Sequence, residues 1–136
     1  MTGIHHLGIT VTDLARSLDW YTEMLGMIQW GEEHYPGGHT ALLMRPDHSL
    51  HLGLDVHDRN GGESFAPHRT GLDHLALAAA SRDQLAQWYA HLTGKGVVCS
   101  DIKDFVLGPT TGALFTFPDP DGIALEVITI DLPSQS

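Results

Sequence analysis

The chain has 136 residues, 42% of them hydrophobic, which suffices for one compact domain or for two half-domains sharing a core. Seven Lys and Arg stand against 17 Asp and Glu, a net charge of −10, so no basic cluster can track nucleic-acid phosphates or an anionic membrane surface. No apolar run approaches the ~20 residues of a membrane span, and the opening Met1 to His6 lacks the basic start and apolar stretch of a signal peptide, so a cytoplasmic protein is expected. The single Cys99 has no partner for an internal disulfide and reads as a small hydrophobe between Val98 and Ser100.

Residues Ile4 to Val11 alternate, with His5, Leu7, Ile9 and Val11 on one face and Ile4, His6, Gly8 and Thr10 on the other, the pattern of a strand. Thr12 or Asp13 then caps a helix from Leu14 to about Leu25, whose Leu14, Leu18, Tyr21 and Leu25 form one stripe, and Gly26 ends it. Strands are predicted over about Met27–Tyr35, Thr40–Arg45 and Leu50–Val56, punctuated by Pro36-Gly37-Gly38 and Pro46-Asp47-His48. Residues 57–71 are polar and without period, a linker with Phe65 as its anchor. A second set follows: a strand over Leu72–Ala79, a capping box of Ser81 and Gln84, and a helix over Arg82–Thr93. Strands near Val97–Ser100, Ala113–Phe117 and Ile123–Ile130 complete it, the last two joined by a tight turn at Pro118 to Gly122, and the tail Asp131–Ser136 is expected to fray.

The two sets are copies. Residues 4–27 slide onto 72–95 so that His6 falls on His74, Trp20-Tyr21 on Trp88-Tyr89 and Gly26 on Gly94. The fold class is therefore α+β, two tandem β-α-β-β-β modules over 4–56 and 72–130 of a single domain spanning 1–136. The Trp-Tyr pairs belong to the helices and read as core or helix surface.

His6 shares its face with Gly8 and Thr10, and His74 with Ala76, Ala78 and Ala80, so both imidazoles look across a surface left bare by small neighbours. Aligning Leu50-His51-Leu52 with Leu125-Glu126-Val127 adds His51 and Glu126 on the polar faces of the last strands. Burying such groups among Leu and Val costs several kcal/mol unless they are matched, and a divalent cation matches them together. Mixed imidazole and carboxylate donors suit Zn, Fe, Mn, Ni or Co, with Ca disfavoured.

His6-Leu7-Gly8-Ile9, Asp13-Leu14-Ala15-Arg16-Ser17-Leu18-Asp19-Trp20-Tyr21, Leu25-Gly26-Met27 and Phe117-Pro118-Asp119-Pro120-Asp121-Gly122-Ile123-Ala124-Leu125-Glu126 resemble the vicinal oxygen chelate superfamily, the glyoxalase/bleomycin-resistance/dioxygenase proteins. The resemblance covers about residues 4–130. It implies a curled, mostly antiparallel sheet around a metal cavity, one divalent transition metal per site, and His6, His74 and Glu126 as ligands. The remaining position, Glu in glyoxalase I, is His51 here, with His57 as a substitute. The implied function is Lewis-acid chelation of a vicinally oxygenated small molecule, stabilising an enediolate or oxyanion, with Glu126 as base in a glyoxalase-like lyase or isomerase. An extradiol-type ring-cleaving dioxygenase and a metal-free drug- or metabolite-binding protein are the alternatives. Fosfomycin-resistance thiol transferases share the opening Thr2 to Leu7, but their phosphonate-contacting Thr is Gly8 here and their basic residues have no counterpart. Trp30, His57, Phe105 and Arg69 are the candidate substrate-binding residues, and a homodimer is the expected assembly.

Overall fold

The structure, a computed structural model, describes residues 1–131. The chain divides into two compact units, Met1–Ser64 and Phe65–Ser136. The first runs β1 (Leu7–Thr10), α1 (Leu14–Leu25), β2 (Ile28–Tyr35), β3 (Gly38–Met44) and β4 (His51–His57). The second repeats the path with β5 (Leu75–Ala78), α2 (Arg82–Gly94), β6 (Lys103–Leu107), β7 (Thr110–Pro118) and β8 (Ala124–Ile130). The α+β class and the duplicated β-α-β-β-β order are as expected. Each unit carries its own four-stranded mixed sheet, ordered β1-β4-β3-β2 and β5-β8-β7-β6. In both, the first strand pairs parallel with the last, and the other ladders are antiparallel.

Local chemistry sets the element ends. Asp13 caps α1 by accepting from the Arg16 N–H at 3.0 Å, and Gly26 stops it in the left-handed region at φ 65°. Ser81 caps α2 through the Gln84 N–H, while the Gln84 side chain returns to the Ala80 N–H. The hairpin loop Pro36-Gly37 has Pro fixing its first φ and Gly37 supplying φ 91° at its second position. Asp119 is buried and accepts from the N–H groups of Asp121 and Ile123, which explains the tight turn before β8.

Each unit buries the apolar face of its sheet beneath its helix. Tyr21, Leu25, Leu43, Leu52 and Leu54 are fully buried in the first, and Leu85, Leu92, Phe115 and Leu125 in the second. Leu14 and Leu18 are only half-buried, because Ser17 and Met24 lie closer to the centre of the buried stripe of α1. Tyr89 meets Phe115 edge to face at 5.2 Å, so this Tyr serves packing.

Two predicted elements differ. Val97–Ser100 forms no ladder; it is tied to β7 by Ser100, whose N–H donates to the Thr116 carbonyl and whose hydroxyl accepts from the Thr116 N–H. The strand of this region is β6, and Phe105 lies at its centre, inside the ladder with β7. Asp131, expected to fray, is ordered against its neighbours. Asp131 is held by Arg82, by the Thr111 hydroxyl and through its own N–H to the Thr111 carbonyl, and residues 132–136 lie outside the described part.

Candidate functional site

In the first unit the parallel ladder sets Leu7 beside Leu52 and Gly8 beside Gly53. Just before it, the chain carries His5 and His6, and β4 opens on His51. A pocket of about 280 Å³ lies here, lined by His5, His6, Trp30, Glu33, Tyr35, Thr40, His51 and Asp55 over Leu42, Leu43, Leu52 and Gly53. His6, His51 and Trp30, three residues singled out from sequence, thus share one cavity. His5 joins them although its alternation assigns it to the rear. The strand begins only at Leu7, so the period-two rule does not govern residue 5, and a ring nitrogen of His5 lies 2.8 Å from one of His6. The rings continue from His5 to His51 at 6.3 Å and from His51 to His48 at 5.4 Å.

The acidic side of this pocket escapes the sequence reading. Tyr35 and Thr40 both donate to Oδ1 of Asp55, Tyr35 at 3.1 Å. Burial, and then the Asp55 carboxylate, push the Tyr35 phenol above its ordinary range, so it stays a donor. The period of two that puts His51 on the cavity face puts Gly53 and Asp55 there as well, which is the available signal. Glu33, which reads in sequence as a solvated strand edge, lines the same cavity.

In the second unit, the β5–β8 ladder sets Leu75 beside Leu125 and Ala76 beside Glu126. His74 precedes β5 by one residue, with Nδ1 2.7 Å from Oδ1 of Asp73. That hydrogen bond to Asp73 is the chief cause that raises the His74 pKa, and the charge of Glu126 adds to it against the opposing effect of burial. His74 and Glu126 are therefore electrostatic neighbours within one unit.

The two registers correct the matching of His51 with Glu126. His6 corresponds to His74, so Leu52 corresponds to Leu125 and Gly53 to Glu126; His51 falls level with Ala124. The slip is two residues, which leaves the face unchanged and hides the error from any reading of alternation. The first unit has a glycine at the position where the second has its carboxylate.

The remaining candidates fall elsewhere. His57 ends β4 opposite Gly38, exposed, with its ring 6.0 Å from Tyr35 and outside the pocket lining. Phe105 folds over Gly112, its partner across the β6–β7 ladder. Arg69 is exposed in a turn closed by its N–H on the Ala66 carbonyl. Cys99 borders a second, open depression with Ser100, Thr116 and Phe117, and burial raises its thiol pKa, which keeps it protonated. Among the described residues, no three His, Cys, Asp or Glu side chains gather as a group that could hold a metal ion. In the first unit His6 contacts His5 and His51 contacts His48 within reach of one pocket, and in the second His74 bonds Asp73 and feels the charge of Glu126.

The family model of the Glyoxalase/Bleomycin resistance protein/Dioxygenase superfamily matches residues 3–127. The chain belongs to this superfamily. It is 31% identical over 130 residues to YwkD of Bacillus subtilis (strain 168), covering 93% of this chain and 96% of the relative. A glyoxylase/bleomycin resistance protein/dioxygenase domain from Frankia sp. EAN1pec has the same fold, with TM-score 0.83, 30% identity, and coverage of 95% and 92% of the two chains. A mutant of the fosfomycin resistance protein FosX from Listeria monocytogenes, complexed with Mn(II) and 1S,2S-dihydroxypropylphosphonic acid, shares the fold at TM-score 0.67 and 16% identity, covering 93% and 89%. The duplicated path places the repeated His, at positions 6 and 74, one residue before the first strand of each unit. No helix of the described residues is long and apolar enough to cross a membrane.

Proposed function

We propose that this superfamily member is a homodimeric, divalent-metal-dependent enzyme acting on a small molecule with adjacent oxygens, with His6, His74 and Glu126 as the metal ligands. The observation that carries the reading is the pairing of His74 with Asp73 behind it and Glu126 beside it. A carboxylate on Nδ1 fixes the imidazole so that Nε2 is left to coordinate, the usual arrangement of a metal-ligating histidine. Two imidazoles and one carboxylate make a donor set suited to first-row transition ions. The Mn(II) in the FosX structure supports the same class of ion. His51, which belongs two residues from the Glu126 position, is not needed as a ligand in this reading.

Such an ion, when bound, would act as a Lewis acid toward the two substrate oxygens. The chain's own side chains do the rest. Glu126, whose charge acts on His74, is the carboxylate that takes a proton from the carbon next to a carbonyl, the glyoxalase-like lyase or isomerase reaction. Trp30, half-exposed at the pocket, offers a flat wall to a substrate, and Leu42, Leu43 and Leu52 keep water from its floor. The free edge of β6 exposes Val106 and Leu107, 77% and 73% accessible, which supports association with a second copy.

Metal analysis of untagged protein, reconstituted separately with Mn(II), Zn(II), Ni(II), Co(II) and Fe(II), tests the reading, with light scattering on the same samples. The expected result is about one equivalent per chain in particles of two chains, falling by about tenfold or more in His74→Ala and Glu126→Gln. Wild-type protein holding less than about a tenth of an equivalent of every ion would overturn it.

A further inference from the structure

The second unit shows what the fold requires of the first. The ladders align Tyr35 with Phe105, Thr40 with Leu114 and Asp55 with Ile128. The same strands thus close equally well with three apolar side chains, so packing does not call for a carboxylate at position 55. The first unit nevertheless carries Asp55, with both neighbouring hydroxyls gathered on its Oδ1. Its Oδ2 receives no hydrogen bond from the described chain and lies over two glycines. A Cβ on Gly8 would come within 3.1 Å of that oxygen, and one on Gly53 within 3.3 Å. Neither glycine has a positive φ, so backbone conformation does not demand them. A glycine pair inside a sheet weakens it, and here it leaves the room that the Asp55 carboxylate occupies.

We infer that the depression beside Gly53 and Asp55 seats a hydroxyl of a non-anionic small molecule, which donates its proton in a hydrogen bond to Asp55 Oδ2. Tyr35 and Thr40 orient the carboxylate by occupying its other oxygen. Asp55 and Glu33 line this pocket and no Lys or Arg does, so in the metal-free protein a phosphate or phosphonate group meets repulsion from two carboxylates. The inference names the substrate class for the function proposed above. It rests on that reading for calling this pocket the reacting site, while the binding itself lies within the first unit.

A matched pair of probes tests it: dihydroxyacetone and dihydroxyacetone phosphate, titrated into chelator-treated protein and followed by the indole N–H resonance of Trp30. Dihydroxyacetone should shift this resonance at concentrations about tenfold below those the phosphate needs. Asp55→Asn should weaken the neutral probe by about tenfold and narrow the gap between the two. Gly53→Ala, which fills the depression while keeping every charge, should abolish the shift with the fold intact by circular dichroism. The phosphate binding as tightly as the neutral probe, or Asp55→Asn leaving neutral binding unchanged, would overturn the inference. Metal content of the same preparations keeps the two claims apart. Full metal occupancy without neutral preference removes this inference alone; neutral preference without metal supports it and removes the metal reading.

Discussion

Gly38 and Gly112 face Tyr35 and Phe105 across their hairpin ladders, and each aromatic ring folds back over its glycine. A Cβ at Gly112 would sit 2.2 Å from the Thr129 carbonyl oxygen and 2.6 Å from the Phe105 ring, and Gly38 is as crowded. Gly112→Ala should therefore cost about 1–3 kcal/mol in urea unfolding, the range of an overpacked core. Gly94, at the end of α2, supplies the comparison: an added methyl there meets nothing within 4 Å, so Gly94→Ala should be neutral or mildly stabilising. Equal losses at both positions would contradict the packing account. Single residues are also where the sequence is hardest to read. His51 reaches the cavity as its alternation indicates, and His6, one residue before β1, and Trp30, at the register shift between Gln29 and Gly31, line it as well. His5 does not follow its alternation because it precedes the strand, and Asp55 escapes notice because a lone Asp near a strand end resembles a solvated one. The match of His51 to Glu126 fails because a two-residue slip preserves the face, and only a ladder register detects it.

At the scale of elements, the helices are legible because caps and apolar spacing coincide: Asp13 and Gly26 bound α1, and Ser81 with Gln84 opens α2. Val97–Ser100 misleads because β-branched composition reports an extended chain without reporting a partner, whereas β6 takes its place through its two-residue loop Gly108-Pro109 to β7. The end of β8 is fastened by Arg82, which bonds Asp131 through two nitrogens and also reaches Asp104 and the Gly112 carbonyl. Arg82 and then Thr111 hold the Asp131 carboxyl below its ordinary range. A lowered folded-state pKa contributes stability that is complete above the unfolded value, about 4, and is lost as the pH falls through the folded value. The loss of stability in Arg82→Ala should thus be larger near neutrality than below about pH 3, as read from urea midpoints. A difference that is the same at both ends would remove Asp131 from the account.

Over the whole molecule, one β-α-β-β-β path is used twice and its chemistry is divided. The second unit carries His74 with Asp73 and Glu126, and the first carries His6 in a pocket made acidic by Asp55 and Glu33. The duplication is legible because the first strand and helix keep their residues in both copies. The division of labour is not, because the last strands diverge in chemistry while keeping their apolar alternation. The proposed function requires the histidine of each copy and one last-strand acid to serve a single cation. Anomalous diffraction from crystals of the Zn(II)-loaded protein tests it most directly. The expected result is a zinc peak ligated by His6, His74 and Glu126; a peak ligated by His48 and His51, or Glu126 left without an ion, would overturn the proposed function.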